Sequence, residues 1–204
     1  MSSLWTENIE MPEFPTLEKD IRTQVLIVGG GMAGILCAYF LQQAGVDYCL
    51  LEKDRICQGV TGHTTAKITA QHGLIYEKSL QSLGQERAEL FLKANLRAVE
   101  NYKNLGRFLK CDMEETDSYL YSVKERRKLE SEMQALSSLG FQADYIEDTE
   151  LPFEVEGAIR FPRQAQFQPL KFAAGISKNL RIYEHSEVRE MTEYFALTEK
   201  GSVA

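Results

Sequence analysis

The sequence lacks most features that mark secreted, membrane-spanning or nucleic-acid-binding proteins. Its 204 residues include only four cysteines, none in a Cys-x-x-Cys pair, and no apolar run reaches the roughly 18 residues of a membrane span. The formal net charge is −7, whereas a protein that neutralises phosphates needs a basic face. The start of the chain has no basic segment followed by an apolar stretch. We therefore expect a reducing cytoplasm, no disulfide framework, no membrane span and no nucleic-acid partner.

The sequence also lacks histidines and cysteines at the spacing of metal ligands. The three histidines, His63, His72 and His185, do not combine with the cysteines at any familiar zinc or iron–sulfur spacing. We predict no metal site. The composition, 44% hydrophobic and 26% charged, is that of an ordinary globular protein of one domain or slightly more.

A strand–helix–strand pattern follows a polar arm over residues 1–20. Residues 24–28 form a continuous apolar, β-branched run, which is typical of a strand buried on both faces of a parallel sheet. A helical stretch over about 32–44 ends at Gly45, and residues 47–52 form a second buried strand. Such a β-α-β unit requires a right-handed crossover and predicts an α/β fold.

The turn between the first strand and the helix carries the sequence Gly-Gly-Gly-Met-Ala-Gly, a match to Gly-x-Gly-x-x-Gly. Its first glycine permits a tight turn, the second lets a pyrophosphate approach the backbone, and the third lets the helix pack closely. The helix N-terminus then offers free N–H groups to phosphates. The candidate binding residues are Gly29, Gly31, Met32, Ala33 and Gly34.

Glu52 ends the second strand, 18 positions after Gly34. A carboxylate at this place accepts hydrogen bonds from an adenosine ribose, and it repels a 2′-phosphate, which argues against NADP. The motif does not distinguish FAD from NAD. The loop that follows favours FAD, because its small and hydroxyl residues can pass close to a flat ring and its phosphates. Those loop residues are Thr61, Gly62, His63, Thr64, Thr65, Ala66 and Lys67.

The rest of the chain alternates helical and strand patterns. A loop over 53–72 is long enough to be functional. Helical spacing of apolar residues predicts helices over about 85–110, over a stretch that ends at Gly140, and over 169–178. Strands are predicted at 118–123, 143–146, 158–161, 181–183, 188–191 and 194–198.

These residues resemble a known family. The stretch 25–73 resembles the N-terminal part of the FAD-dependent amine and amino-acid oxidoreductases of the D-amino-acid oxidase type. Within that family, 62–73 resembles a bacterial subgroup that usually carries a C-terminal Rieske domain. Segments 157–162 and 164–169 are similar to it as well.

The resemblance implies a Rossmann-like FAD-binding β-α-β sheet with inserted helices and a partial α+β substrate domain. The segments would be an arm at 1–20, a FAD-binding part at 21–80, substrate-domain segments at 81–180, and a β-meander at 181–204. The glycines would hold the FAD pyrophosphate. Glu52 would hold the ribose, with Lys53 beside it, and the loop would line the flavin side. The expected reaction is hydride removal from a C–N bond of a small amine or amino acid.

Two interpretations of the role of His63 stay open. In dimethylglycine and sarcosine dehydrogenases, which the loop resembles, a histidine at the matching place attaches the flavin covalently, and Gly59, Thr61 and His63 share their flanking pattern. Gly62 replaces the family's aromatic residue, however, and a loop histidine bonded to backbone is the alternative. Lys67 would either place positive charge near the flavin or remain a solvated surface lysine.

The resemblance also implies a truncated chain. In the family the last strand of the FAD domain comes from the C-terminal half, and the segment 201–204 resembles the lead-in to a strand that is missing. The Rieske ligands, a Cys-x-His and a later Cys-x-x-His, are absent. Two alternatives stay open: an NAD-binding reductase, or a non-catalytic fragment that needs a partner. An electron acceptor or the missing half are the expected partners.

Overall fold

A computed structural model describes residues 9–204 and divides the chain into two compact units. The first unit comprises the residues up to Ala66, Leu109–Asp112 and Gln168–Ala204, and the second comprises Lys67–Phe108 and Met113–Phe167. The predicted segments are continuous in sequence, whereas each unit combines separate stretches. Part of the predicted arm, residues 1–8, lies outside the described residues.

The elements of the first unit are, in chain order, β1 (Val25–Val28), α1 (Met32–Gln43), β2 (Tyr48–Leu51), a 3-10 turn (Val60–His63), α5 (Pro169–Ser177), β7 (Ile182–Tyr183), β8 (Glu190–Met191), β9 (Ala196–Leu197) and β10 (Ser202–Val203). Those of the second unit are β3 (Lys67–Ile68), α2 (Tyr76–Leu83), α3 (Gln85–Gly106), β4 (Glu114–Ser122), α4 (Arg126–Ser138), β5 (Asp144–Ile146) and β6 (Gly157–Gln166).

The first unit contains the predicted β-α-β unit. Strands β1, β2 and β7 form a parallel sheet in the order β1-β2-β7. All four residues of the central strand β2 are buried, as predicted. The prediction that β1 is buried on both faces was wrong, because β1 lies at the edge of this sheet: Ile27 is buried, whereas Val28 is 54% exposed. Helix α1 contacts β1, β2 and α5. The parallel register places the carboxyl ends of β1 and β2 side by side, where the glycine turn and Glu52 lie.

The described part of the arm is extended and packs on this unit. Leu17 is buried and belongs to an apolar cluster with Cys49, Leu51 and Val203. The N–H of Leu17 donates to the hydroxyl of Ser186 at 2.9 Å. The arm is therefore part of the first unit's core.

The second unit is an antiparallel sheet with helices on one face. Strand β6 pairs with β4 along one edge and with β3 and β5 along the other. Phe161 of β6 stacks on Phe141 and Tyr76, with ring centroids 4.8 and 6.2 Å apart, respectively. This aromatic cluster joins one face of the sheet to the helical layer.

Several elements differ from the sequence predictions. The stretch 53–72 was predicted to be a loop, but it contains the 3-10 turn and β3, which forms by pairing with the distant strand β6. Helix α2 was not predicted, because it has only eight residues and its N-terminus is held by a distant side chain, Glu132. The segment 201–204 was predicted to lead into a missing strand, but Ser202–Val203 itself forms β10. It pairs antiparallel with β9, and Val203 bridges Ile21 in parallel, so backbone pairing at both edges fixes it.

No helix within residues 9–204 is both long and apolar enough to cross a membrane.

Candidate cofactor site

Conformational or steric constraints act at three of the four glycines in the turn. Gly29 has a φ of +105°, a conformation that side chains rarely adopt. A Cβ on Gly34 would lie 2.0 Å from the carbonyl oxygen of Gly29, so only glycine lets α1 approach the turn. A Cβ on Gly30 would lie 2.7 Å from the Cγ2 atom of Ile56. These three glycines are required by the fold itself.

Gly31 differs from its neighbours because the fold does not require it to be glycine. It has φ −77° and ψ 179°, which is extended backbone open to any residue. The nearest atom to a Cβ placed there is the hydroxyl oxygen of Thr61, at 3.6 Å, an ordinary contact distance. The missing side chain therefore leaves an open space above the turn, which fits the close approach of a pyrophosphate.

The loop after β2 folds back onto the turn and fixes it. The carboxylate of Glu52 accepts from the N–H of Gly30 at 2.5 Å and from the N–H of Asp54 at 3.0 Å. The N–H of Cys57 donates to the carbonyl of Gly30 at 3.0 Å. The hydroxyl of Thr61 accepts from the N–H of Met32 at 3.1 Å. Both backbone groups of Gly30 are thus bonded to loop residues.

Two backbone N–H groups in the first turn of α1 have no partner among the described residues. Ala33 and Gly34 follow Met32 at the start of the helix, and their N–H groups have no hydrogen-bond partner within residues 9–204. Free N–H groups at a helix N-terminus attract anions, and the helix dipole adds to that attraction. The open space at Gly31 and these donors together fit the phosphates of a dinucleotide.

The predicted loop residues lie in distinct surroundings. Gly62 is buried, and a Cβ there would lie 2.9 Å from the carbonyl oxygen of Cys57. His63 is exposed, with its Nδ1 atom 3.0 Å from the carbonyl oxygen of Gly59. Ala66 is buried at φ +60°, and its N–H donates to the hydroxyl of Thr64 at 3.4 Å. Thr65 is exposed.

The two predicted lysines lie on the surface. Lys53 is exposed and lies 3.7 Å from the carboxylate of Asp54. Lys67 is exposed at the start of the second unit, where its backbone is paired with Gln166. Glu52 and Thr61 are therefore the predicted polar residues that directly bond the glycine turn.

Glu184, at the end of β7, was missed by the sequence prediction. Its side chain is buried, and its carboxylate accepts from the N–H of Ile56 at 2.8 Å and from the N–H of Phe14 at 3.1 Å. Arg55 lies 3.7 Å from it and also donates to the carbonyl of Pro12 at 3.2 Å. Glu184 thereby ties the arm to the loop that folds over the turn. The signal in the sequence was an acid directly after the strand predicted at 181–183.

Cys57 is a structural residue of this loop. Burial raises the pKa of its thiol to about 12, although the hydroxyl of Thr61 acts in the opposite direction. The thiol is consequently neutral at physiological pH and a poor nucleophile. Its Sγ lies 3.7 Å from the carbonyl oxygen of Gly30, which adds another contact between loop and turn.

Within residues 9–204 no group of three or more His, Cys, Asp or Glu side chains is arranged to hold a metal ion.

A parallel β-α-β sheet, a glycine turn at a helix N-terminus and an acid at the end of the second strand are typical of the Rossmann-type dinucleotide-binding fold. Residues 24–203 match the DAO family, described as FAD dependent oxidoreductase. The chain therefore belongs to this family of FAD-dependent oxidoreductases, which confirms the family and fold class predicted from the sequence.

Individual relatives agree with this assignment. A Bacillus subtilis (strain 168) protein, YhfW, which carries the name of a Rieske 2Fe-2S iron-sulfur protein, is 35% identical over 191 residues, covering 89% of this chain and 38% of that protein. Rat mitochondrial dimethylglycine dehydrogenase is 40% identical over 67 residues, covering 32% of this chain and 8% of that protein. The solved structure of L-proline dehydrogenase from P. horikoshii has a TM-score of 0.70 at 19% identity and covers 93% of this chain and 51% of that one. The chain thus spans about half or less of the length of these relatives.

Proposed function

We propose that this chain binds FAD through the glycine turn and forms the cofactor-binding part of an oxidoreductase that oxidises a C–N bond of an amine or amino acid. The observation that carries the proposal is Gly31. Its backbone and surroundings permit a side chain, so the fold does not account for a glycine at this position, whereas a ligand that closely approaches the backbone would. The pyrophosphate of a dinucleotide meets that description, and the family of the chain favours FAD as that dinucleotide.

The start of α1, Thr61 and Glu52 each have a defined part in this proposal. The free N–H groups at the start of α1 would bind the pyrophosphate. The hydroxyl of Thr61 would donate to the pyrophosphate while its oxygen accepts from the N–H of Met32. Glu52 has oxygen lone pairs beyond the two backbone bonds that it accepts, and these would hold the ribose hydroxyls. FAD, when bound, supplies the hydride acceptor that converts a C–N single bond into an imine.

We propose further that substrate selection and the closing part of the flavin site lie in sequence outside this chain. The support is the length comparison, since the chain covers 38% of YhfW and 51% of the proline dehydrogenase. A longer polypeptide or a partner chain would supply that part. The Rieske name of the first relative favours an iron–sulfur centre as the electron acceptor of the complete system.

The proposal is tested by mixing the purified chain with FAD or with NADH, removing free nucleotide by gel filtration, and recording the absorption spectrum of the protein peak. We expect flavin bands at the elution volume of a compact protein and no retained NADH. Retention of NADH without flavin would favour the alternative of an NAD-binding reductase. Retention of neither, with exposed apolar surface reported by a fluorescent dye, would favour the non-catalytic fragment.

His63 gives a separate prediction about the mode of flavin attachment. If its Nδ1–H donates to the carbonyl of Gly59, Nε2 is the ring nitrogen left for the flavin. The covalent hypothesis predicts that flavin colour stays in the pellet after acid precipitation of the FAD-loaded chain, and that a His63→Ala variant releases it. Colour entirely in the supernatant of the unaltered chain would leave His63 as a loop histidine bonded to backbone.

A further inference from the structure

A cavity that is separate from the glycine turn lies within the second unit, on the sheet face opposite the helical layer. It has a volume of about 520 Å³ and is lined by Tyr119, Tyr121, Ile146, Asp148, Thr149, Glu150, Leu151 and Ala158. Small-molecule sites commonly have volumes of about 300–1,000 Å³, with apolar walls and a few polar groups. None of these residues belongs to the glycine turn or its loop.

The strand register explains why a cavity forms there. Tyr121 of β4 is directly opposite Ala158 of β6, and Ala158 is directly opposite Ile146 of β5. Paired residues point to the same face of a sheet, so a small side chain lies between two large ones. The next row places Tyr119 opposite Arg160. The cavity therefore has a buried alanine at its floor and a tyrosine and an isoleucine as walls.

The aromatic side chains of this face are open to solvent. Tyr119 and Tyr121 are 54% and 45% exposed, although the solvated face of an antiparallel strand is usually polar. Phe153 packs against Tyr121 with ring centroids 5.6 Å apart and leaves 46% of its own surface exposed. These rings present electron-rich faces and apolar surface to a ligand.

The charged residues that line the cavity, Asp148 and Glu150, are both acidic. Asp148 and Glu150 form no ion pair or hydrogen bond with any residue in the described range 9–204. The nearest cation in the adjacent row, Arg160, is bonded to Asp144 at 2.6 Å and lies 3.6 Å from Asp117. The cavity thus carries two uncompensated carboxylates beside aromatic rings and no basic side chain.

We propose that this cavity binds a small aliphatic ammonium ion. The charged head lies against the carboxylates of Asp148 and Glu150, and the hydrocarbon portion lies on the rings of Tyr119 and Tyr121. Carboxylates and aromatic faces both attract an ammonium group, whereas the apolar walls favour an organic cation over a hydrated metal ion. The site goes beyond the proposed flavin function, because it needs neither the glycine turn nor a cofactor.

The test is an NMR titration of the cofactor-free chain with n-butylammonium chloride at pH 7, with 1-butanol as the neutral probe of similar shape. We expect saturable shifts of the backbone amides of residues 149–151 with butylammonium and none with 1-butanol. Equal affinity for both probes, or no saturable shift at tens of millimolar, would overturn the proposal. Because no flavin is present, the outcome is independent of FAD binding.

Variants locate the binding site. The double variant Asp148→Asn/Glu150→Gln should weaken butylammonium binding at least tenfold, and Tyr121→Leu should weaken it about threefold or more. Glu154→Gln is the matched control, since Glu154 is an exposed acid of the same loop that does not line the cavity. It should bind like the unaltered chain. An equal loss in Glu154→Gln and in the double variant would mean that only overall charge matters, and the assigned cavity would be wrong.

Discussion

Replacing Gly34 with alanine is expected to lower the free energy of unfolding by about 3 kcal/mol. The new Cβ would lie 2.0 Å from the carbonyl oxygen of Gly29, and that atom is rigid backbone rather than a movable side chain. Helix α1 would have to move away from the turn, which would disturb its packing on β1 and β2. The gain in helix propensity, about 1 kcal/mol, is too small to offset this clash. Urea denaturation followed by circular dichroism measures the change.

Gly31→Ala is the matched control for that measurement. The same methyl group is added three residues earlier, where the nearest atom is 3.6 Å away and the backbone is already extended. We expect its free energy of unfolding to stay within about 0.5 kcal/mol of the unaltered chain. If Gly34→Ala and Gly31→Ala destabilise the chain equally, the conclusion that the fold requires glycine at position 34 but not at position 31 is wrong.

Removal of the Glu132 side chain is expected to have a similarly large effect on the second unit. Glu132 lies on α4 and is 1% exposed, and its two carboxylate oxygens accept from the N–H groups of Tyr76 and Glu77, each at 2.8 Å. These are the first two N–H groups of α2, which have no partner inside that helix. Glu132→Ala would leave both donors unpaired and should cost about 3 kcal/mol.

Glu130→Ala is the control for Glu132→Ala on the same helix. Glu130 is half exposed and pairs with Arg126 at 3.0 Å, and surface pairs of this kind contribute about 0.5 kcal/mol or less. Denaturant unfolding of the two variants should therefore differ by about 2 kcal/mol or more. A Glu132→Ala variant as stable as Glu130→Ala would show that α2 does not depend on this carboxylate.

The sequence predicted the parts of the fold that repeat a local pattern. The apolar run, the glycine spacing and the acid after the second strand identified β1, α1, β2 and Glu52, because each depends on neighbours within about 30 residues. The position of Thr61 in the loop was also predicted, although its bond to Met32 was not.

The elements that depend on distant contacts were not predicted. Glu132 and Glu184 are buried acids, and a charged residue in a sequence is ordinarily taken to be solvated. Each is explained only by backbone N–H groups brought to it by the fold, 56 residues away for Tyr76 and 128 for Ile56. Helix α2 was missed for the same reason, since its start is stabilised by Glu132 rather than by its own residues. A further case is β10, where pairing at both edges makes a strand of two residues.

The dissociation constant of FAD for the unaltered chain and for Gly31→Ala tests the central claim most directly. Fluorescence titration of both proteins under identical conditions gives the comparison. The account predicts that Gly31→Ala weakens FAD binding tenfold or more while its stability is unchanged, because the methyl group fills the space that the pyrophosphate needs. Equal affinity of the two proteins would contradict the assignment of the glycine turn as the phosphate-binding site.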